Sequence, residues 1–196
     1  MTIINTLVLV LVAVLGLFLT TVITRAITGK QPLLGRPPIP VFFFILAKLC
    51  VIVNLAFLFL SGLGIRSYAL FETTLVTGIT AIIILMPGLI ILVVSSLQLN
   101  RALIFGLPGK TQENLQTKGI YGFSRHPFYL GFIMILLSSC LLYPHIINIL
   151  AFITTWTIHH FIMIKEEAFL QQTIGEEYRR YKGKVGRYFT FKISKP

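Results

Sequence analysis

Hydrophobic residues fill positions 3–24, 41–63 and 73–96 almost without interruption, and polar positions collect between these runs. Each run is close to the ~20 residues with which a helix crosses the hydrocarbon core of a bilayer. A fourth run covers 127–142, stops at Tyr143-Pro144-His145, and resumes over 146–164. Proline between polar-tipped residues breaks a helix, and an uninterrupted span would be far too long, so the pattern predicts a tight helical hairpin. Beyond it, Leu170, Ile174, Tyr178 and Tyr181 recur at helical spacing beside Gln171, Glu176, Arg179 and Arg180, the pattern of an amphipathic interfacial helix. The expected fold is an all-α integral membrane protein with about five transmembrane helices. Residues 1–96 form its three N-terminal spans, and 97–196 form a loop, the hairpin and the C-terminal segment that carry the chemistry.

Composition supports this reading: 56% of the 196 residues are hydrophobic and only 12% are charged, far from the balance of a soluble domain. No basic residue precedes the first run and no small-residue cleavage site follows it, so it is expected to remain in the mature protein. Cys50 and Cys140 fall in separate spans without CxxC spacing, which predicts packing residues, with neither a disulfide framework nor a zinc site.

A net charge of +11 would suggest nucleic acid in a soluble protein. Placement changes the picture. Arg25, Lys30 and Arg36 follow the first span; Arg101, Lys110, Lys118 and Arg125 follow the third; eight more follow the fifth, so 15 of the 17 basic residues lie on one face. Only Arg66 falls on the opposite side, and Lys48 lies within the second span. The positive-inside rule then sets the N-terminus outside and the C-terminus in the cytoplasm, with the basic excess facing anionic lipid. Neither nucleic acid nor metal is expected as a partner.

Candidate chemistry collects on that cytoplasmic face. All six acidic residues are glutamates, and four of them lie between 166 and 177. Glu166 and Glu167 are expected at the end of the fifth span, where the helix dipole favours cations; their presence suggests a role, with a salt bridge to Arg125 or Lys165 as the plain alternative. The 97–125 connection is the longest, carries Gly106, Gly109 and Gly119, and is long enough to fold over a ligand. In "GFSRHPFYLG" (122–131), Pro127 suits the first turn of a helix and pushes His126 into an extended conformation. The ring of His126 is thereby aimed across the mouth of the bundle, with N–H groups of the helix start behind it for an anion. A fourth helix of about 16 residues, ~24 Å long, is short for a ~30 Å core, which draws Arg125 and His126 to the membrane boundary, where they would otherwise be simple interfacial anchors.

His159 and Glu166 are seven residues apart, as are His160 and Glu167, so each pair shares a helix face. The Glu-x-x-His spacing of di-iron bundles is absent, which disfavours metal. Lys48 is near enough to the cytoplasmic side to snorkel, and binding an anionic head group is its sharper alternative. Asn54 and Pro87 are the other irregular positions in the spans.

"KGIYGFSRHPFYLG" (118–131), "EEAFL" (166–170) and "GEEYRRYKGKVGRYF" (175–189) together resemble the integral-membrane methyltransferases that include isoprenylcysteine carboxyl methyltransferase and the phospholipid N-methyltransferases. The resemblance covers the last 80 or so residues; the first two spans match no motif. It implies S-adenosylmethionine as methyl donor, bound on the cytoplasmic side by the fourth and fifth helices and the C-terminal segment. His126, Pro127, Phe128 and Tyr129 would line the donor, with Tyr121 and Glu113, Asn114, Leu115 and Gln116 contributing, and Glu166 on the other side. Arg125, His126 and Glu167 would be the catalytic group. These residue types suit the ligand: a glutamate accepts from ammonium or hydroxyls, helix N–H groups hold a carboxylate, and tyrosine rings face a sulfonium.

One departure bears on the acceptor. Relatives that methylate a prenylcysteine carboxylate resemble one another in an arginine one turn before the glutamates, where this chain has Ile162. Lys165, Arg179 or Lys48 would substitute, or the acceptor is neutral, such as a lipid amine or small thiol. A lipophilic acceptor entering sideways between helices is the expected partner. Two other readings compete: an NADPH-dependent sterol-type membrane reductase, against which the 97–120 loop shows no arginine cluster for a 2′-phosphate, and a non-enzymatic membrane subunit. A transporter is disfavoured, because no inverted repeat is visible and the polar residues collect at one face.

Overall fold

The structure, a computed structural model, describes residues 1–28, 37–99 and 115–190. Within these, the chain forms α1 (Thr2–Thr28), α2 (Val41–Gly62), α3 (Leu75–Leu99), a short 3-10 turn at Gly119–Gly122, α4 (Pro127–Leu142), α5 (Ile146–Thr173) and α6 (Glu176–Lys184). The segment Thr2–Thr24 and helices α2, α3 and α5 are long and apolar enough to cross a membrane, while α4 is a shorter apolar helix. Large apolar side chains such as Phe42, Ile52, Ile83, Ile90 and Phe161 face outward. In water such a surface would drive aggregation; in an integral membrane protein it meets lipid.

The hairpin forms where the sequence breaks. The ring Nδ1 of His145 accepts the backbone N–H of Ile147 at 3.2 Å and caps α5. At the same end of the bundle Arg66 donates to Ser61 O (3.0 Å), Leu142 O (3.0 Å) and Asn5 Oδ1 (2.7 Å). One cation thus satisfies carbonyls at the C-terminal ends of α2 and α4, where the helix dipole is negative. The one basic residue set apart by the charge pattern therefore ties three helices.

Close approach of α3 and α4 places the site. A Cβ on Gly131 would sit 2.5 Å from Gly88 O and 2.7 Å from Leu92 N, and one on Gly88 would sit 3.0 Å from Gly131 O. Only two glycines let the backbones meet there, as small residues do between membrane helices. Pro87, irregular in the sequence, directly precedes this crossing inside α3. Above the crossing Ala81, Leu85, Leu89, Leu92, Ile135 and Leu142 form the main apolar core with α1 and α2.

Asn54 belongs to a buried polar knot. Its Nδ2 donates to Asn148 Oδ1 (3.0 Å) and Asn148 O (3.1 Å), Ser139 Oγ donates to Asn54 O (2.8 Å), and Asn148 Nδ2 donates to Tyr143 O (3.0 Å). Helices α2, α4 and α5 are thereby registered against one another by bonds that lipid cannot replace.

Two expectations change at the C-terminal end. Helix α5 continues to Thr173 instead of stopping near residue 164, so Glu166 and Glu167 sit inside a helix and not at its dipole-negative end. The run Ala168-Phe169-Leu170-Gln171 contains no breaker, and the helix ends only before Gly175, which has φ +69°. At ~1.5 Å per residue its 28 residues span ~42 Å, enough to project beyond the hydrocarbon core. Helix α6 is amphipathic, and its two tyrosines turn into the protein: Tyr178 and Tyr181 pack with Val185, Leu115, Leu170 and Ile174.

Candidate active site

Pro127 opens α4 at its first position, and His126, as the N-cap, leaves the helical region with φ −128° and ψ 56°. The proline forbids the helical conformation one residue earlier, and the imidazole is turned sideways as a result. It is 8% exposed and lies against α5. His126 Nε2 is 3.3 Å from Glu167 Oε1, while Nδ1 is 3.8 Å from Glu166 Oε2. One turn along α4, Tyr129 donates its hydroxyl to Glu166 Oε1 at 2.8 Å. Adjacent glutamates on one helix thus serve different partners. Glu166 is held by Tyr129, and Glu167 by a group of cations.

That group is the most tightly bonded feature of the site. Glu167 Oε1 accepts from Arg125 Nη2 (2.9 Å) and Arg187 Nε (2.7 Å), and Oε2 accepts from Arg187 Nη2 (3.0 Å), with Lys182 Nζ at 3.9 Å. Glu167 is only 2% exposed. A carboxylate this deep is stable only when its lone pairs are filled, and the two guanidinium groups fill them. The salt bridge to Arg125 is real, and Lys165 takes no part in the ion pairs with Glu167 or Glu166 found among the described residues.

Arg187 arrives on a C-terminal strap. Arg125 N donates to Gly186 O (2.9 Å), His126 N to Arg187 O (3.3 Å), Ser124 Oγ to Arg187 O (2.9 Å), and Thr190 Oγ1 to Phe123 O (2.7 Å). The strap doubles back at Gly186, where a Cβ would collide with the Phe189 carbonyl. It is pinned to the segment before α4 almost as a paired strand would be. Arg125 Nη1 adds bonds to Val185 O (2.8 Å) and Lys182 O (3.1 Å) at the end of α6.

Electrostatics follow from burial. Loss of water pushes the His126 imidazole below its ordinary value, with Glu167 pulling the other way and Arg125 and Arg187 reinforcing the depression. The imidazole is therefore neutral at neutral pH. Arg187 is raised, chiefly by its hydrogen bonds to Glu167.

The sequence-derived candidates divide into four sets. Arg125, His126, Tyr129, Glu166 and Glu167 converge, with Pro127 buried beside them. Tyr121 and Leu115 lie one layer back: Tyr121 O accepts from Tyr181 (2.6 Å), its hydroxyl donates to Ser95 O (3.4 Å), and Leu115 packs on Tyr178 and Tyr181. Gln116 is half-buried in the same segment. Phe128 faces the main core and stacks on Phe132 (6.5 Å, 17°), away from the glutamates. Glu113 and Asn114 fall outside the described residues. Lys48, half-buried on α2 with its ammonium 5.0 Å over the Phe44 ring, lies close enough to Glu166 for the opposite charges to attract.

Arg187, Lys182 and Ser124 were not among the candidates. The signal of Arg187 and Lys182 is weak in sequence, because a basic tail after the last span reads as topology before it reads as a site.

The sequence model of the phospholipid methyltransferase family matches residues 73–177, more than half of the chain. The chain belongs to the phospholipid methyltransferase family. The match runs from the start of α3 into α6 and includes Arg125, His126, Tyr129, Glu166 and Glu167, while Lys182 and Arg187 lie beyond it. A curated relative, the protein-S-isoprenylcysteine O-methyltransferase of Schizosaccharomyces pombe, is 35% identical over 72 residues, 36% of this chain. The matched stretch is 30% of that enzyme's length, so the likeness covers under a third of it.

Proposed function

We propose that this family member transfers a methyl group from S-adenosylmethionine to a lipophilic acceptor, a carboxylate, lipid amine or thiol, at the cytoplasmic face of the membrane. The observation that carries the reading is the convergence of His126, Tyr129 and Glu166 inside the family-matched region, with one carboxylate left incompletely bonded among the described residues. Glu166 Oε2 has His126 Nδ1 at 3.8 Å, beyond hydrogen-bond range. This is an acceptor pair suited to ammonium or ribose hydroxyls. Buried Arg125 Nε and the Tyr178 hydroxyl have no partner among the described residues, and such donors suit a carboxylate. The residues present therefore fit the donor. When bound, S-adenosylmethionine supplies an electrophilic methyl group on a sulfonium.

In this reading Glu166 and Tyr129 with Pro127 bound the donor side, Tyr121, Leu115 and Gln116 back it, and Arg125 and His126 form the reacting end. Glu167 acts through the two side chains it holds. Tyr129 and His126 rings, 5.8 Å apart, offer faces to a cation. Positioning of this kind supplies a large part of a bimolecular barrier. Ala47, Ile158 and Ile162 pack with Phe44 and Tyr129 in an apolar cluster beside the site, which suits a lipophilic acceptor. The basic excess on the site's side supports a cytoplasmic site and an N-terminus outside.

The acceptor is found by incubating membranes that contain the protein with methyl-labelled donor and extracting the lipids. Label in the lipid fraction that disappears with His126→Ala supports the reading; label confined to polar metabolites removes the lipophilic acceptor.

A further inference from the structure

Three donors compete for one oxygen at the centre of the site, and the competition fixes a proton. Glu167 Oε1 lies 2.7 Å from Arg187 Nε, 2.9 Å from Arg125 Nη2 and 3.3 Å from His126 Nε2. Both arginines are permanently charged, so Glu167 between them is a carboxylate and offers only lone pairs. A neutral His126 carries one proton. On Nδ1 that proton would have no partner within hydrogen-bond range among the described residues, since Glu166 Oε2 is 3.8 Å away, and the Nε2 lone pair would face a carboxylate oxygen at 3.3 Å. On Nε2 the proton is donated to Glu167.

We propose that Arg125 and Arg187 clamp Glu167 as a fixed carboxylate that holds His126 in its Nε2–H form, leaving the Nδ1 lone pair and Glu166 Oε2 as facing acceptors for an N–H-bearing ligand, and that Arg187 is thereby a positioning residue of the site. Two acceptors 3.8 Å apart repel one another until a donor bridges them. An ammonium or amine does this with two of its protons. The same chemistry is present in the ammonium of S-adenosylmethionine and in an aminophospholipid head group.

Arg187 works at a distance from the ligand. Its guanidinium bonds to Glu167, its backbone carbonyl receives the His126 N–H, and the strap that delivers it also receives the backbone N–H of Arg125. The charged and titratable groups facing His126 are Glu166 and Glu167 from α5, Arg125 before and Tyr129 on α4, and Arg187 from the strap, with Lys182 of α6 on the far oxygen of Glu167. Removing Arg187 leaves Glu167 more negative toward the imidazole. Protonation of His126 then becomes easier.

The test is nitrogen NMR of the ¹⁵N-histidine-labelled protein in detergent, with His126 assigned by His126→Gln and His145, at the opposite end of α4, as an internal control. The tautomer follows from the geometry alone, whereas the use of the acceptor pair rests on the methyltransferase reading, so the two can fail separately. We expect the wild-type His126 proton on Nε2. Arg187→Gln raises the His126 titration midpoint by on the order of one pH unit, Arg187→Lys leaves it near the wild-type value, and His145 moves in neither. A wild-type proton on Nδ1, or an unmoved midpoint in folded Arg187→Gln, overturns the proposal; if that variant does not fold, the wild-type tautomer decides. S-adenosylmethionine and phosphatidylethanolamine mixed micelles are then added in turn. The one that moves the Nδ1 resonance is the source of the bridging N–H group, and a resonance moved by neither overturns the acceptor-pair part.

Discussion

Arg187 Nε donates to Glu167 Oε1 across 2.7 Å, joining the C-terminal strap to the C-terminal part of α5. Because Arg125 shares that oxygen, Glu167 is the point where α4, α5 and the tail are held together.

Replacing Glu167 therefore costs more than one bond. Glu167→Ala strands two guanidinium groups, one of them nearly buried, and is expected to destabilise the protein by about 3 kcal/mol. Glu166→Gln, which keeps the acceptor for Tyr129, is expected to change stability by less than about 1 kcal/mol. Thermal unfolding of both variants in one detergent compares them. Equal losses would contradict the separate roles of the two glutamates.

The burial of His126 makes stability depend on pH. Its folded value lies below the ordinary 6.5, so between the two values the unfolded chain binds the proton and the folded protein does not. Stability is full above about pH 6.5 and falls as pH drops through and below it. Thermal unfolding of wild type and His126→Gln on both sides of that pH checks the sign. The histidine protein is expected to lose more stability on acidification than the glutamine variant.

At the α3–α4 crossing there is no room for a side chain. Gly131→Val must push backbone against backbone, where a Cβ already meets Gly88 O at 2.5 Å, and is expected to cost about 1–3 kcal/mol or more. The displaced α4 carries His126, so donor binding weakens along with the melting temperature. Gly16→Val, at a glycine with nothing within 4 Å, is the matched control and is expected to melt like wild type.

Asn148 accepts from and donates to three elements. Asn148→Ala leaves Asn54 Nδ2 without its side-chain acceptor and removes one of the two donors to Tyr143 O, which predicts a loss of about 1–2 kcal/mol. Denaturation in mixed micelles measures it. Because the knot lies at the hairpin end, donor affinity at the other end is expected to hold.

Most of the bundle is legible in the apolar pattern, since a span needs a length that few other structures need. The hairpin was equally plain, because Pro144 interrupts a run too long for one span. What the pattern misled on was the end of α5: apolar character stops near Ile164 while helix propensity continues to Thr173, and hydropathy reports lipid contact, not helicity. Within the site, proline at the helix start announced His126, and the paired glutamates stood out as acids at the edge of the apolar run, although α5 continues past them and they do not lie at its dipole-negative end. Arg187 gave no such signal. Its partner is 20 residues earlier and reached by a turn at Gly175 and a strap, a relation that no local spacing encodes.

The most direct measurement is calorimetric titration of the detergent-purified protein with S-adenosylmethionine, set against NADPH, for wild type, His126→Ala and Glu166→Ala. The account predicts saturable binding of S-adenosylmethionine by the wild type, none of NADPH, and at least about tenfold weaker donor binding in each variant, the loss expected for one charge-assisted contact. No heat with S-adenosylmethionine, or the same affinity after Glu166→Ala, would contradict it.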